Sequence, residues 1–252
     1  MCHAPARRVR SVRYAVISDI HSNLESLQAA LAQIPEDDAV LCLGDMVGYG
    51  PNPNECVDLI SQRAQSAVLG NHDIAALENF GVEYFNPAAR AAIEWTQGVI
   101  SQKSRDWMNG LGYEIRTPEY LLVHGAPKNY FEYILDKAAA KRAFKNTDAP
   151  IIFVGHTHIA DYYCLDGAGT VSHAHMQNGG EITLDEGARY IINVGSVGQP
   201  RDLNPQPSFV FYDPQTRTVS FRRYDYAIST VQEKMHAAAL PEALASRLEA
   251  GR

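Results

Sequence analysis

The chain lacks any run near the roughly 20 consecutive apolar residues that span a bilayer. Its apolar runs are short, YAVIS and IIFVG among them, so no membrane-spanning role is expected. Cysteine is scarce: Cys2, Cys42, Cys56 and Cys164 form no C-x-x-C pair, which speaks against a zinc ribbon or a disulfide framework. Positive charge is short as well. With 22 Lys and Arg against 29 Asp and Glu, the formal charge is −7, and a general nucleic-acid-binding surface, which needs clustered cations to displace counterions, is not expected. The basic opening MCHAPARRVRSVR is followed only by YAVIS rather than a signal-type apolar region, so the cytoplasm is the expected location. Arg7, Arg8, Arg10 and Arg13 then read as a solvated lead-in with His3 exposed among them.

What the chain does have is a repeated arrangement. Five short apolar runs each lead into a residue able to bind a metal or a phosphate: YAVIS before Asp19-Ile-His21, AVLCLG before Asp45, SAVLG before Asn71-His72-Asp73, YLLV before His124, and IIFVG before His156-Thr-His158. Near-continuous Val, Ile and Leu is the pattern of parallel strands covered on both faces. In an open α/β sheet ligands bind beyond the carboxyl ends of the strands. Residues separated by up to 140 positions should therefore meet in one crevice.

The 252 residues are taken as one α/β domain, 1–252. Ser22-Asn23-Leu24-Glu25 has the spacing of a capping box before a first helix, and Pro53 to Gln62 reads as a second crossover helix. A helical, cap-like region is expected over about 73–112, with Trp95 and Trp107 packed inward. From Asp161 onward, short alternating segments such as DYYCL, TVSHAHM and SFVFY predict antiparallel strands, and the Ala-rich end predicts two helices separated near Pro241. The expected architecture is two packed sheets with helices outside, the first mostly parallel.

Asp19, His21, Asp45, Asn71, His124, His156 and His158 supply carboxylates, imidazoles and one amide oxygen. This mixture suits borderline divalent transition metals, manganese first, with iron, nickel, cobalt or zinc as alternatives. Seven donors exceed one tetrahedral site but fill two adjacent sites if a carboxylate bridges. Two divalent ions would leave the crevice positive inside an acidic chain, which should attract a phosphate group. Two metals can polarise phosphoryl oxygens and lower the pKa of an attacking water. His72 is the expected general acid, with Asp73 beside it to orient or charge the ring. Asn23, Tyr49 and Arg201 are candidate substrate contacts, although Asn23 suits capping, Tyr49 begins a turn-rich loop, and Arg201 next to Asp202 suits a surface ion pair.

The ordered set Asp19-x-His21, Gly44-Asp45, Gly70-Asn71-His72-Asp73, His124 and Gly155-His156-x-His158 resembles the calcineurin-like metallophosphoesterase superfamily. In size and ending the chain is similar to its small YfcE-type phosphodiesterases, whose late Gly-Ser loop Asn193-Val-Gly-Ser-Val-Gly-Gln-Pro-Arg201 resembles. The resemblance implies an αββα sandwich of two mixed sheets flanked by helices. It also implies a dinuclear centre, one metal on Asp19, His21, Asp45 and His158 and the other on Asp45, Asn71, His124 and His156, with Asp45 bridging. Two departures narrow it: Met46-Val-Gly-Tyr-Gly-Pro51 replaces the Asp-Arg-Gly run of Ser/Thr phosphatases, and His72 stands where the YfcE type often has Cys.

The expected function is hydrolysis of small phosphodiesters or nucleotides. A phosphomonoesterase or protein phosphatase is the alternative within the class, and a catalytically weak binding or scaffold module is the alternative outside it. A nuclease is disfavoured by the acidic balance. The oligomeric state is left open. His173 and His175, alternating on one face of an expected antiparallel strand and outside every motif, read as structural.

Overall fold

A computed structural model describes residues 13–252; the expected exposure of Arg7, Arg8, Arg10 and His3 concerns residues outside that range. Three strands, β1 (Tyr14–Ile17), β2 (Ala39–Cys42) and β3 (Ala64–Ala67), run parallel. They alternate with α1 (Leu24–Leu31) and α2 (Pro53–Arg63). A helical stretch follows: α3 (Asn71–Glu78), a 3-10 turn at Val82–Tyr84, α4 (Pro87–Val99) and α5 (Gln102–Asn109). Next come β4 (Glu114–Arg116), β5 (Tyr120–Val123), α6 (Lys137–Lys145) and β6 (Ile151–Val154). The remainder is β7 (Ala160–Leu165), β8 (Val171–His175), β9 (Gly180–Thr183), β10 (Arg189–Val194), β11 (Ser208–Asp213), β12 (Thr218–Arg223), α7 (Ile228–Ala237) and α8 (Glu242–Ala250).

The strands form two six-stranded mixed sheets, ordered β3-β2-β1-β11-β12-β9 and β4-β5-β6-β10-β7-β8. The five apolar runs therefore do not share a sheet. Those before Asp19, Asp45 and Asn71 belong to the first, and those before His124 and His156 to the second. Nor is the first sheet mostly parallel, because β11, β12 and β9 join it antiparallel. The run pattern reported burial on both faces and was blind to which partner covered each face.

Side-chain alternation explains that burial. Val16, Leu41, Leu122, Phe153, Ile192 and Val210 point between the sheets. Ala15, Ile17, Val40 and Cys42 face α1 and α2 through Leu27, Ala30, Val57 and Ile60. On the far side Leu121, Val123, Ile152, Val154 and Tyr163 meet Ala140, Ala143 and Phe144 of α6. Both faces of each central strand are dry, which gives helices outside and two sheets inside.

Local details depart from expectation. The first helix is capped by Asn23, whose side chain accepts from Ser26 N, and not by Ser22. Arg13 is no free lead-in residue: it pairs with Asp38 at 2.6 Å and lies over the Phe211 ring. Trp95 and Trp107 are only half buried, and Ile93 and Met108 fill the interior beneath them.

Phe153 is completely buried between the sheets against Tyr120 and Tyr212. Phe153→Ala should destabilise the chain by about 3–5 kcal/mol, measured as a lowered urea midpoint of the metal-free protein.

Candidate metal centre

The two sheets present their parallel strand ends at one rim, where the loops after β1, β2, β3, β5, β6 and β10 meet. Backbone hydrogen bonds lock these loops together: Asp19 N donates to Gly44 O, His21 N to Asp45 O, Gly155 N to His124 O and Gly198 N to Asp19 O. Two glycines permit the approach. A Cβ on Gly70 would stand 2.1 Å from Asp45 Oδ1, and one on Gly155 would stand 2.0 Å from Ser18 Oγ.

Asp19, His21, Asp45 and His158 place donor atoms within 4.8 Å of one another, and so do Asp45, His124 and His156. Asp45 belongs to both groups. Its Oδ2 is 3.6 Å from His21 Nε2 and 3.3 Å from His124 Nε2, while its Oδ1 accepts from the His72 amide at 2.8 Å. Asp19 divides its oxygens in the same way, Oδ2 accepting from His156 N at 2.9 Å and Oδ1 left without a hydrogen bond. Asn71 joins from the start of α3, with a buried Oδ1 that has no donor.

The imidazoles are aimed the same way. His21 Nδ1 faces Val47 O, His124 Nδ1 faces Leu43 O, His156 Nε2 faces Phe131 O and His158 Nδ1 faces Gln199 O. A carbonyl only accepts, so each ring carries a proton on that outer nitrogen and a neutral ring turns a lone pair inward. His21 Nε2 and His158 Nε2 are 3.1 Å apart, as are His124 Nε2 and His156 Nδ1. Orphaned oxygens and nitrogens facing each other at these distances fit a pair of cations.

Electrostatics agree. Burial opposes ionisation of Asp19, yet His158 and His21 hold its carboxyl well below the usual range; Asp45 is held low by His124 and His72 against the same penalty. Burial pushes His156 down to about 3 and His158 to about 4, so both are neutral. His124 is the exception: despite burial, Asp45 and Asp19 push it up to about 9. A proton there compensates the carboxylates in the metal-free protein.

The backbone is strained at the same place. Asp19, His21, Ser22, Asp45, Tyr49, His156 and His158 all have φ between 49° and 65°, a region that costs non-glycine residues on the order of 1–3 kcal/mol each.

Family comparison decides the class. The model of the calcineurin-like phosphoesterase family matches residues 12–160. The chain belongs to this family. An uncharacterized protein of Methanocaldococcus jannaschii is 39% identical over 246 residues, covering 94% of this chain and 98% of the relative. The crystal structure of a metallophosphoesterase from Sphaerobacter thermophilus superposes with a TM-score of 0.87 at 38% identity, covering 96% and 100% of the two chains. A hypothetical protein of Pyrococcus horikoshii, 18% identical with a TM-score of 0.75 and coverage of 96% and 99%, shares the fold. Members are phosphoesterases, and the buried His/Asp clusters here suit metal binding. Among the described residues no helix is long and apolar enough to cross a membrane.

The remaining expected site residues divide. His72 is at the rim, buried, its ring packed against Tyr49, His21 and Phe85, and its Nδ1 has no hydrogen-bond partner. Asp73 does not orient it. Asp73 Oδ1 accepts from Met46 N and Val47 N, and Oδ2 from the N-cap amide of Gly70 at the start of α3. Burial and Asp45 push Asp73 up to about 7. Asn23 is also spent on the protein, its Nδ2 donating to Gly198 O and its Oδ1 capping α1. Arg201 is not paired with Asp202, which is held by Arg223; its guanidinium donates to Tyr49 OH and Gln199 Oε1 at the edge of the centre. Residues missed in the sequence are Asn193, which ties Gly155 O and Thr157 Oγ1, and an aromatic wall of Phe85, Phe131 and Tyr133. The clustering of Phe80, Tyr84 and Phe85 and of Tyr130, Phe131 and Tyr133 was the available signal for that wall.

Because a metal requires neutral imidazole, loading at pH 7 should release about one proton per chain from His124. Calorimetry of manganese binding in buffers of different ionisation enthalpy should show the release. The His124 share of that release should diminish as pH rises through about 9 and shrink in Asp45→Asn.

Proposed function

We infer that the chain is a dinuclear-metal-dependent phosphoesterase that hydrolyses small phosphodiesters or nucleotides, with manganese the favoured metal. The observation that carries this reading is Asp45 Oδ2 lying between His21 and His124, one carboxylate oxygen shared by two donor groups. Asp19, His21, Asp45 and His158 would hold one ion, and Asp45, Asn71, His124 and His156 the other. Bound there, the pair would supply Lewis acidity to the phosphoryl oxygens and lower the pKa of an attacking water.

The chain's own side chains do the rest. Arg201 and the two cations would make the rim positive within an acidic molecule, drawing in a phosphate group. Asn71 and His156 also line a cavity of about 330 Å³ whose other walls include Phe80, Tyr84, Phe85, Phe131 and Tyr133. Tyr133 stacks on His156 with ring centroids 3.9 Å apart. A flat aromatic group carried by the phosphate, such as a nucleobase, would be received against these rings, which supports a nucleotide or aryl ester. His72 is the proposed proton donor to the leaving oxygen. Burial holds its ring well below 6.5, so the protonated form is scarce at neutral pH. Charge developing on the leaving oxygen would draw the proton across.

With manganese, the protein should cleave bis-p-nitrophenyl phosphate faster than p-nitrophenyl phosphate, and Asp45→Asn should lower the rate by orders of magnitude. Equal rates for Asp45→Asn and the parent would remove the mechanism. His72→Ala should lower kcat about 10²- to 10⁴-fold for a diester with an alkyl leaving group and far less for p-nitrophenolate, which leaves without a proton. Since the acid must be protonated and burial disfavours the charged ring, the advantage of the parent over His72→Ala on the alkyl ester should shrink as pH rises; an advantage that grows with pH would assign the proton elsewhere.

A further inference from the structure

Away from the rim, β7 and β8 pair antiparallel with Asp161 opposite His175 and Tyr163 opposite His173. Residues two apart on a strand share a face, so His173, His175 and Asp161 converge on one side of the ribbon. Their donor atoms lie within 4.8 Å of one another. Asp161 Oδ2 is 2.8 Å from His173 Nε2 and 3.9 Å from His175 Nδ1. A simple ion pair of Asp161 with His173 would leave two features without explanation. Asp161 is 4% exposed, yet its Oδ1 has no hydrogen-bond donor. His175, in turn, stands beyond hydrogen-bonding distance of the carboxylate.

We propose that Asp161, His173 and His175 form a separate mononuclear site for a borderline divalent cation such as zinc, nickel or cobalt. Ligands around a tetrahedral ion of this size are roughly 3.4 Å apart, between the two distances seen, so small side-chain rotations bring all three donors to a common centre. Two imidazoles and one carboxylate favour these ions over magnesium or calcium, which want more oxygens. The His173 ring is already fixed by stacking on Tyr163, centroids 4.3 Å apart and planes 15° apart. His175 is 64% exposed in its side chain, which gives the ion a path from solvent and leaves a position for water.

The site borders the family centre without sharing a ligand. Asp161 stands opposite Asn193 on β10, and Asn193 Nδ2 holds the loop that carries His156 and His158 through Gly155 O and Thr157 Oγ1. An ion joining β7 to β8 would therefore brace the strand that this loop enters.

The test is zinc titration of the full chain labelled with 15N-histidine, together with equilibrium dialysis. The His173 and His175 ring nitrogens, assigned by His173→Gln and His175→Gln, should shift on adding zinc. His175→Gln, a change at an exposed position, should bind one equivalent less zinc than the parent chain while keeping its diesterase rate. Unmoved His173 and His175 resonances, or equal zinc stoichiometry in parent and variant, would overturn the proposal. Both readouts are differences at these residues, so they hold whether or not the family centre takes two metals.

Discussion

Two buried carboxylates that each divide their oxygens organise this molecule. Asp19 and Asp45 are fully enclosed, and each gives one oxygen to a backbone amide of a distant segment, His156 N and His72 N respectively. The other oxygen of each is left facing a cluster of imidazoles. Removing such charges from water costs several kcal/mol apiece unless they are compensated. The amides, a proton on His124 and the surrounding ring nitrogens supply that compensation. The same side chains therefore tie the loops of both sheets and create the demand for cations.

That demand accounts for the strain around it. Holding Asp19, His21, Asp45, His156 and His158 at positive φ is unfavourable for each residue; bonds from Asp19 N, His21 N and Gly198 N tie down the first two loops, and those from His156 N to Asp19 Oδ2 and from Arg201 N to His158 O tie down the third. Glycine at 70 and 155 is required because a carboxylate or the Ser18 hydroxyl occupies the space of a Cβ. Asp73 belongs to this scaffold. By gathering three amides from two loops it fixes Gly70 against Asp45, and it makes no hydrogen bond to the Nδ1 of the adjacent His72 ring.

Much of the site was legible because strand ends and donor residues coincide: a dry apolar run followed by Asp, His or Asn has few uses in a core. The terminal helices and the helical stretch after Asp73 were readable from composition for the same local reason. Three kinds of feature were not. Asp73 and Asn23 are polar residues near a site whose partners are backbone amides and carbonyls, and a sequence does not list those. Phe85, Phe131 and Tyr133 come from separate loops and form a wall only when packed. His173 and His175 read as structural residues until Asp161 appeared across the ribbon.

By itself the sequence determined which strands are dry, which residues can donate to a metal and the family those blocks belong to, since each depends on residue type and spacing along the chain. Only the tertiary structure decided that the runs divide between two sheets, that Asp19 and Asp45 each give one oxygen to a distant amide, and that each of the four clustered histidines sets one ring nitrogen against a backbone carbonyl. Those outcomes depend on which backbone carbonyl or amide stands opposite a side chain, and that is fixed when the sheets pack against each other.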